Sequence, residues 1–227
     1  MIAVIVPAHN EEQHLGECLQ SLTTAARSPS LRGEAVTVFV ALDSCSDASE
    51  TIARRGGAIT IALQARNVGA ARALGARCAI ERGARWLAFT DADSTVAPDW
   101  LAVQLALGSE AVCGTVTVSD WGSYGERMRR HFAATYTDAD GHRHIHGANL
   151  GVSTAAYLAA GGFRCLETSE DVALVEALQA QGTSVSWSAA PRVSTSARRV
   201  FRAPSGFGAT LLRVELESQR NAVQGSR

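Results

Sequence analysis

Four short apolar runs, each followed at once by a polar cluster and then by a helix-like stretch, constrain this chain more than any other feature of it. Ala3–Val6 is wholly apolar and rich in β-branched residues, the pattern of a strand buried on both faces. Asn10 is placed to cap a helix running through Arg27, with Leu15, Cys18, Leu19 and Leu22 at helical spacing and Glu11 and Glu12 in its first turn. Val36–Leu42 repeats the strand pattern, ends at the Asp/Ser cluster 43–47, and leads into a helix that Gly56 and Gly57 close. Ala58–Leu63 is a third strand, Ala70–Arg82 a helix ended by Gly83, and Trp86–Thr90 a fourth strand. Strands alternating with helices across short loops build a parallel sheet with helices on both faces. Such sheets bind ligands at the carboxyl ends of their strands. His9–Glu12, Asp43–Asp47, Asn67–Arg72 and Asp91–Asp93 all fall there.

The remainder is less regular. Pro98–Leu107 predicts a helix and Ala111–Val118 a strand, Trp121–Thr137 is mixed and basic, and 138–148 is a polar, His-rich loop. Thr154–Ala160 and Asp171–Gln181 predict helices, with a weak strand around Ser184–Trp187 and a last helix over Thr210–Arg220. No repeat or low-complexity linker divides the 227 residues, so one α/β domain is expected. A formal net charge of −1 gives no general attraction to nucleic acid. No apolar run approaches the roughly 18–20 residues of a membrane span, and Ile2–Val6 lacks the basic flank and length of a signal peptide. Five scattered cysteines without a CxxC pair fit free thiols in a reducing cytoplasm. All 21 Lys and Arg residues are arginine. The missing lysine excludes a P-loop and a Schiff-base enzyme, leaving Arg, helix N-termini or a metal to meet any phosphate.

Asp91–Ala92–Asp93 sits just past an apolar strand. The turn lets both carboxylates face one ligand, a hard-oxygen pair suited to Mg²⁺ or Mn²⁺ with positions left for phosphate oxygens; it is equally an ordinary surface turn. Asp43, at the end of the second strand, can accept from a base N–H or a ribose hydroxyl, while Asp47 caps the next helix. His142, His144 and His146 alternate, which on a strand puts all three on one face and suggests a metal or an acceptor contact.

VIVPAHNEE at 4–12, DSCSD at 43–47, NVGAARALG at 67–75, FTDADS at 89–94, GANLGVSTAAYLAAGGF at 147–163 and SEDVAL at 169–174 together resemble glycosyltransferase family 2, with the GT-A fold. The resemblance covers most of residues 3–180 and implies a Rossmann-like, mostly parallel sheet flanked by helices. Residues 1–95 would form the nucleotide-binding half and 96–227 an irregular acceptor-binding half. It implies that Pro7, Ala8 and Asn10 frame the nucleotide, that Asp43 meets the base, and that Arg72 lies near base and ribose. Asp91, with Ala92 beside it, would reach the ribose or a metal-bound water. Asp93 would hold the divalent cation, Mg²⁺ or Mn²⁺, with His146 as a further ligand. Asp171 occupies the base position of the Glu-Asp motif, with Glu170 beside it, and attack by an acceptor hydroxyl would invert the anomeric centre. A charged helix start capped by Ser169 explains Glu170–Asp171 equally well.

Two departures qualify the match. DSCSD lacks the usual second Asp and Gly, which shifts base recognition onto Asp43. The QxxRW segment of processive members is also absent, so a single sugar added from a UDP-sugar, or a GDP- or ADP-sugar, is expected. Arg198 or Arg199 can replace that segment at the diphosphate, or form a solvated basic turn. The apolar tail residues Phe207, Leu211 and Leu216 can pack internally or against a second copy. One rival is a haloacid-dehalogenase-type phosphatase, whose strand-then-DxDxT pattern LAFTDADST satisfies, although that motif normally opens the chain and is joined by a lysine. The other is a catalytically silent nucleotide-sugar-binding scaffold protein.

Overall fold

The computed structural model describes residues 1–121 and 126–196, apart from the side chains of residues 119, 120 and 127; Arg198, Arg199 and the helix expected over 210–220 lie outside them. The first half follows the alternation: β1 (Ile2–Ala8), α1 (Leu15–Ala26), a 3₁₀ turn (Pro29–Leu31), β2 (Val36–Asp43), α2 (Ser49–Arg55), β3 (Ile59–Leu63), α3 (Val68–Glu81) and β4 (Trp86–Phe89). β5 (Ser94–Val96), α4 (Trp100–Ala106), β6 (Ala111–Asp120), α5 (Glu126–Thr135), β7 (Leu150–Ser153), α6 (Thr154–Ala159), α7 (Glu170–Ala180) and β8 (Val185–Ser196) follow. All eight strands join one sheet in the order β3-β2-β1-β4-β7-β6-β8-β5.

β1 explains why the first run is wholly apolar. It pairs in parallel with β2 on one side and β4 on the other, and its side chains alternate between two cores. Ile2, Val4 and Val6 join Leu15, Leu19, Leu22, Trp100 and Leu101 on one face. Ala3 and Ile5 join Phe39, Leu87, Phe89, Leu150, Leu174 and Leu178 on the other. Each fully buried Leu, Ile or Phe contributes about 1.5–3 kcal/mol of burial. Helix α3 reaches its face closely because Gly75 stands against Ile5: a Cβ there would meet Cγ2 at 2.6 Å.

Beyond β4 the sheet turns mixed. β7 runs antiparallel to both β4 and β6, and β8 runs parallel to β6 and antiparallel to β5. β7 falls inside a stretch read as an acceptor segment, and the expected weak strand at 184–187 extends through Ser196. Pro191 and the alternating Ser/Ala composition mask β8; the irregularities in the β6–β8 register near Gly114 accommodate the proline. Helix α1 starts at Leu15, with His14 as N-cap, so Asn10 does not cap it and Glu11 and Glu12 precede it. Asn149 is a keystone of this half: fully buried, it donates to the Thr115 and Pro191 carbonyls and accepts from the Trp100 indole N–H.

Candidate active site at the strand ends

The first two strand-end loops are tied to each other. The Asn10 carboxamide oxygen accepts from the Ser46 N–H at 2.7 Å, Asp47 from the Glu12 N–H at 2.9 Å, and Glu12 from the Ala48 N–H at 3.0 Å. Asp47 also accepts from the Ser49 N–H at 3.0 Å, but the N-cap of α2 is Ala48, so Asp47 stands one residue before the expected cap. Ala8 is buried, its carbonyl accepting from the Cys45 thiol, and Pro7 is half-buried. Asn10 and Ser44 both hold left-handed backbone, at φ 54° and 55°, a conformation that costs a non-glycine residue energy and concentrates at functional sites. An open groove of about 430 Å³ lies outside these loops, lined by Ser44, Cys45, Ser46, Asp47, Glu50 and Gln64 among others. None of Asp91, Asp93, Glu170 or Asp171 lines it.

Asp43 is 4% exposed and holds the next loop. One carboxylate oxygen accepts from the N–H groups of Ala65 and Arg66, both at 2.8 Å, and from the Ser44 hydroxyl at 3.0 Å; the other accepts from the Asn67 N–H at 2.7 Å. Burial alone would raise this carboxyl, but the hydrogen bonds from Arg66, Asn67, Ala65 and Ser44 outweigh it and hold the group below its ordinary range. The second oxygen has lone-pair capacity left for a ligand donor. Asn67 in turn caps α3 by accepting from the Ala70 N–H.

At the end of β4 the chain turns at 91–94, with the Ser94 N–H donating to the Asp91 carbonyl at 3.1 Å. Ala92 points into the core, 3% exposed, while the Asp91 side chain is 36% exposed and Asp93 half-buried. Asp91 is bound from below by Arg72. That guanidinium donates to Asp91 Oδ1 at 2.6 Å and, through its other terminal nitrogen, to Glu170 Oε1. Arg72 is itself 4% exposed, and its side-chain partners are the carboxylates of Asp91 and Glu170.

Glu170 opens α7 and is also 4% exposed. Burial pushes its carboxyl up and Arg72 pulls it down; the neighbouring Asp171 and Asp91 charges side with burial, and the net direction is up. Asp171 is the more accessible of the two, and its Oδ2 accepts from the Gly147 N–H at 2.8 Å. Ser169 is the N-cap residue of α7, but it sits at φ 61° and its side chain makes no capping bond.

The three histidines do not gather as a metal site. Their rings enter a column in which Phe132 and Tyr136 stack at 4.6 Å, Tyr136 and His144 at 4.1 Å, and His144 and His142 at 5.6 Å. Each offers a ring nitrogen to an internal partner: His142 to the His144 N–H, His144 to the Thr137 N–H and His146 to the Tyr136 hydroxyl. Among the described residues no three His, Cys, Asp or Glu side chains form a group that could hold a metal ion. Tyr136 and the Gly147 contact with Arg72 escaped the sequence reading; the aromatic interleaving of 132–146 was their only signal.

The chain matches the family model described as Glycosyl transferase family 2 over residues 3–163, and it belongs to that family. Its fold is that of GT-A glycosyltransferases. Similar solved structures include S. aureus TarS 1-349 in complex with UDP-GlcNAc: TM-score 0.68, 16% identity, covering 94% of this chain and 64% of that one. A second crystal structure of S. aureus TarS gives TM-score 0.66 at 18% identity, over 86% of this chain and 36% of that one. The mannosyltransferase PcManGT from Pyrobaculum calidifontis, in complex with GDP-Man and Mn²⁺, gives TM-score 0.63 at 17% identity, over 87% and 57%. The chain thus spans less than two thirds of the length of these three. No curated protein sequence matches it. Among the described residues no helix is long and apolar enough to cross a membrane, and all five cysteines are free.

Proposed function

We propose that this chain transfers one sugar from a nucleoside-diphosphate sugar to an acceptor hydroxyl, with inversion at the anomeric carbon and without processivity. The observation that carries the reading is the meeting, across buried Arg72, of the Asp91 turn at the end of β4 with Glu170 and Asp171 at the start of α7. Leaving-group residues and a candidate base thereby face one site, although about 80 residues separate them in the chain. The turn fits a divalent cation. Two carboxylates on a partly exposed turn are hard-oxygen donors of the kind that Mg²⁺ and Mn²⁺ take, waters and phosphate oxygens completing the shell. Asp93 and Asp91 would hold the ion, whose charge stabilises the diphosphate leaving group. Asp171 takes the acceptor proton, oriented by its bond from the Gly147 N–H. Asp43 keeps loop 65–67 in place and offers its second oxygen to the donor base. The reading includes a UDP-sugar as the first donor to test, GDP- and ADP-sugars next, and a reducing cytoplasm for the five free thiols.

Calorimetry with UDP, GDP and ADP, each with Mn²⁺ and again with chelator, tests the donor half. Metal-dependent binding of one nucleotide is expected. Release of that nucleotide from its sugar donor separates an enzyme from a silent binding scaffold. The phosphatase alternative falls with the family match.

A further inference from the structure

Arg72 is the one described cation set among the site's carboxylates, and its surroundings are more specific than charge balance requires. Gly147 lies against the face of its guanidinium: a Cβ at 147 would meet Cζ and both terminal nitrogens at 2.4 Å. The Phe163 ring centroid lies 5.7 Å from Cζ. The remaining nitrogen, Nε, is buried without a hydrogen-bond partner, so the group is oriented by its two terminal nitrogens and its packing. Gly69 lets the 164–170 segment close on α3, since a Cβ there would meet the Arg164 carbonyl at 2.4 Å and Glu170 Cβ at 3.2 Å.

We propose that Arg72 is a positioning residue: a single buried guanidinium fixes Asp91 on the donor side and, on the acceptor side, both supports of Asp171, namely its chain neighbour Glu170 and its hydrogen-bond donor Gly147. The fork is essential to this role. Two terminal nitrogens reach two carboxylates at once, whereas a lysine ammonium is a point charge that satisfies one geometry at a time. Without the fork, Glu170 is left buried beside an imperfect partner, which is costly, and Gly147 loses the flat surface on which its backbone rests. The Ser169 backbone at φ 61° then has less to hold it, and the first turn of α7 shifts together with Asp171. Glu170 belongs to the same device: buried and paired with Arg72, it orients the base instead of acting as one.

The rate arm of the test rests on the glycosyl-transfer reading; the exchange arm does not. In the ligand-free protein, NMR amide exchange at Gly147 reports its bond to Asp171. Arg72→Lys is expected to speed that exchange about tenfold, the loss of roughly one hydrogen bond, while the core amides of Ala76 and Ala79 on α3 keep their rates. A double variant, R72M/E170M, removes both buried charges and keeps the fold within reach; it is expected to speed Gly147 exchange as well. Gly147 exchange at the wild-type rate in both variants overturns the proposal. For the rate arm, hydrolysis of UDP-GlcNAc and of GDP-mannose with Mn²⁺ serves as the probe. Arg72→Lys and Glu170→Gln are expected to lower kcat about 10²-fold with KM within about threefold, as for residues that orient a general base. Loss of kcat and KM together, in step with a lowered Tm, marks a purely structural role and contradicts the proposal. If the wild-type protein hydrolyses neither probe, the function reading fails and Gly147 exchange still decides the positioning role.

Discussion

Around Asp43 the loops are tied mainly by side chains accepting from main-chain N–H groups; around Asp171 such bonds, from Gly147 and to Asp140 from Ala189, are joined by a buried cation and a column of stacked rings. The Asp43 side spans short loops between adjacent parallel strands, where a carboxylate or carboxamide reaches the next turn directly. The Asp171 side must join segments from distant parts of the chain: α3, the 138–149 loop, and the start of α7. Asp138 and Asp140 pin that loop to β6 and β8 through Thr115, Arg192, Ser188 and Ala189, and Arg72 joins it to α7. Short-range ties dominate around Asp43, whereas around Asp171 a buried arginine and stacked rings join segments far apart in the chain.

Substitutions that strike only one half break this comparison most directly. Asp171→Asn is expected to lower transfer ~10²–10⁴-fold, the range for a lost general base, while nucleotide affinity and Tm stay near wild type. Gly147→Ala drives a Cβ into the Arg72 guanidinium; a loss of ~3 kcal/mol is expected, between the cost of overpacking and that of a broken buried pair. Thermal unfolding reads it as a fall of roughly 6–12 °C. Asp43→Asn replaces a carboxylate with four hydrogen bonds by a carboxamide that must turn a donor toward other donors, at about 2 kcal/mol. Its effect is expected on Tm and on nucleotide affinity together.

Acid sharpens the contrast. Burial first, then the charges of His144 and His142, push His146 down to about 4 against the pull of Asp91. An unfolded histidine titrates near ~6.5, so between those values the unfolded chain binds more protons and stability falls as pH is lowered. The total is roughly 3–4 kcal/mol at ~1.4 per unit, and His144, shifted in the same direction, adds to it. Asp43 has the same sign in a lower window: its folded value is depressed, so its contribution is complete above an unfolded value of ~3.9 and is lost only as pH falls through the folded one. A Tm series from pH 7 to 4 is expected to decline, and His146→Gln to flatten it. The smallest effect is expected from Arg54→Ala, which breaks an exposed Glu50–Arg54 pair worth under ~0.5 kcal/mol by chemical denaturation.

The same division governed what the sequence made legible. β1 to β4 are recognisable because strands buried on both faces must be apolar throughout and their loops must carry polar groups. β5 has three residues and β7 four, too short for a period to register, and β8 hides behind Pro191. Asp91, Asp93 and Asp171 stand out as motif residues, but Arg72 reads as a ligand contact because nothing local shows that Glu170, 98 positions away, will bury beside it. The histidines suggest a metal because alternation shows a shared face and not the stacked rings. Asn10 suggests a cap because Asn is a good one, yet its carboxamide is drawn to Ser46 across the sheet.

The most direct test of one site spanning both halves is calorimetry of Mn²⁺-dependent nucleotide binding in three proteins: wild type, Asp93→Ala and Asp171→Asn. One of UDP, GDP or ADP is expected to bind wild type and Asp171→Asn alike, with binding abolished by chelator and by Asp93→Ala. Binding that survives Asp93→Ala, or no binding of any nucleotide to wild type, would contradict one site spanning both halves.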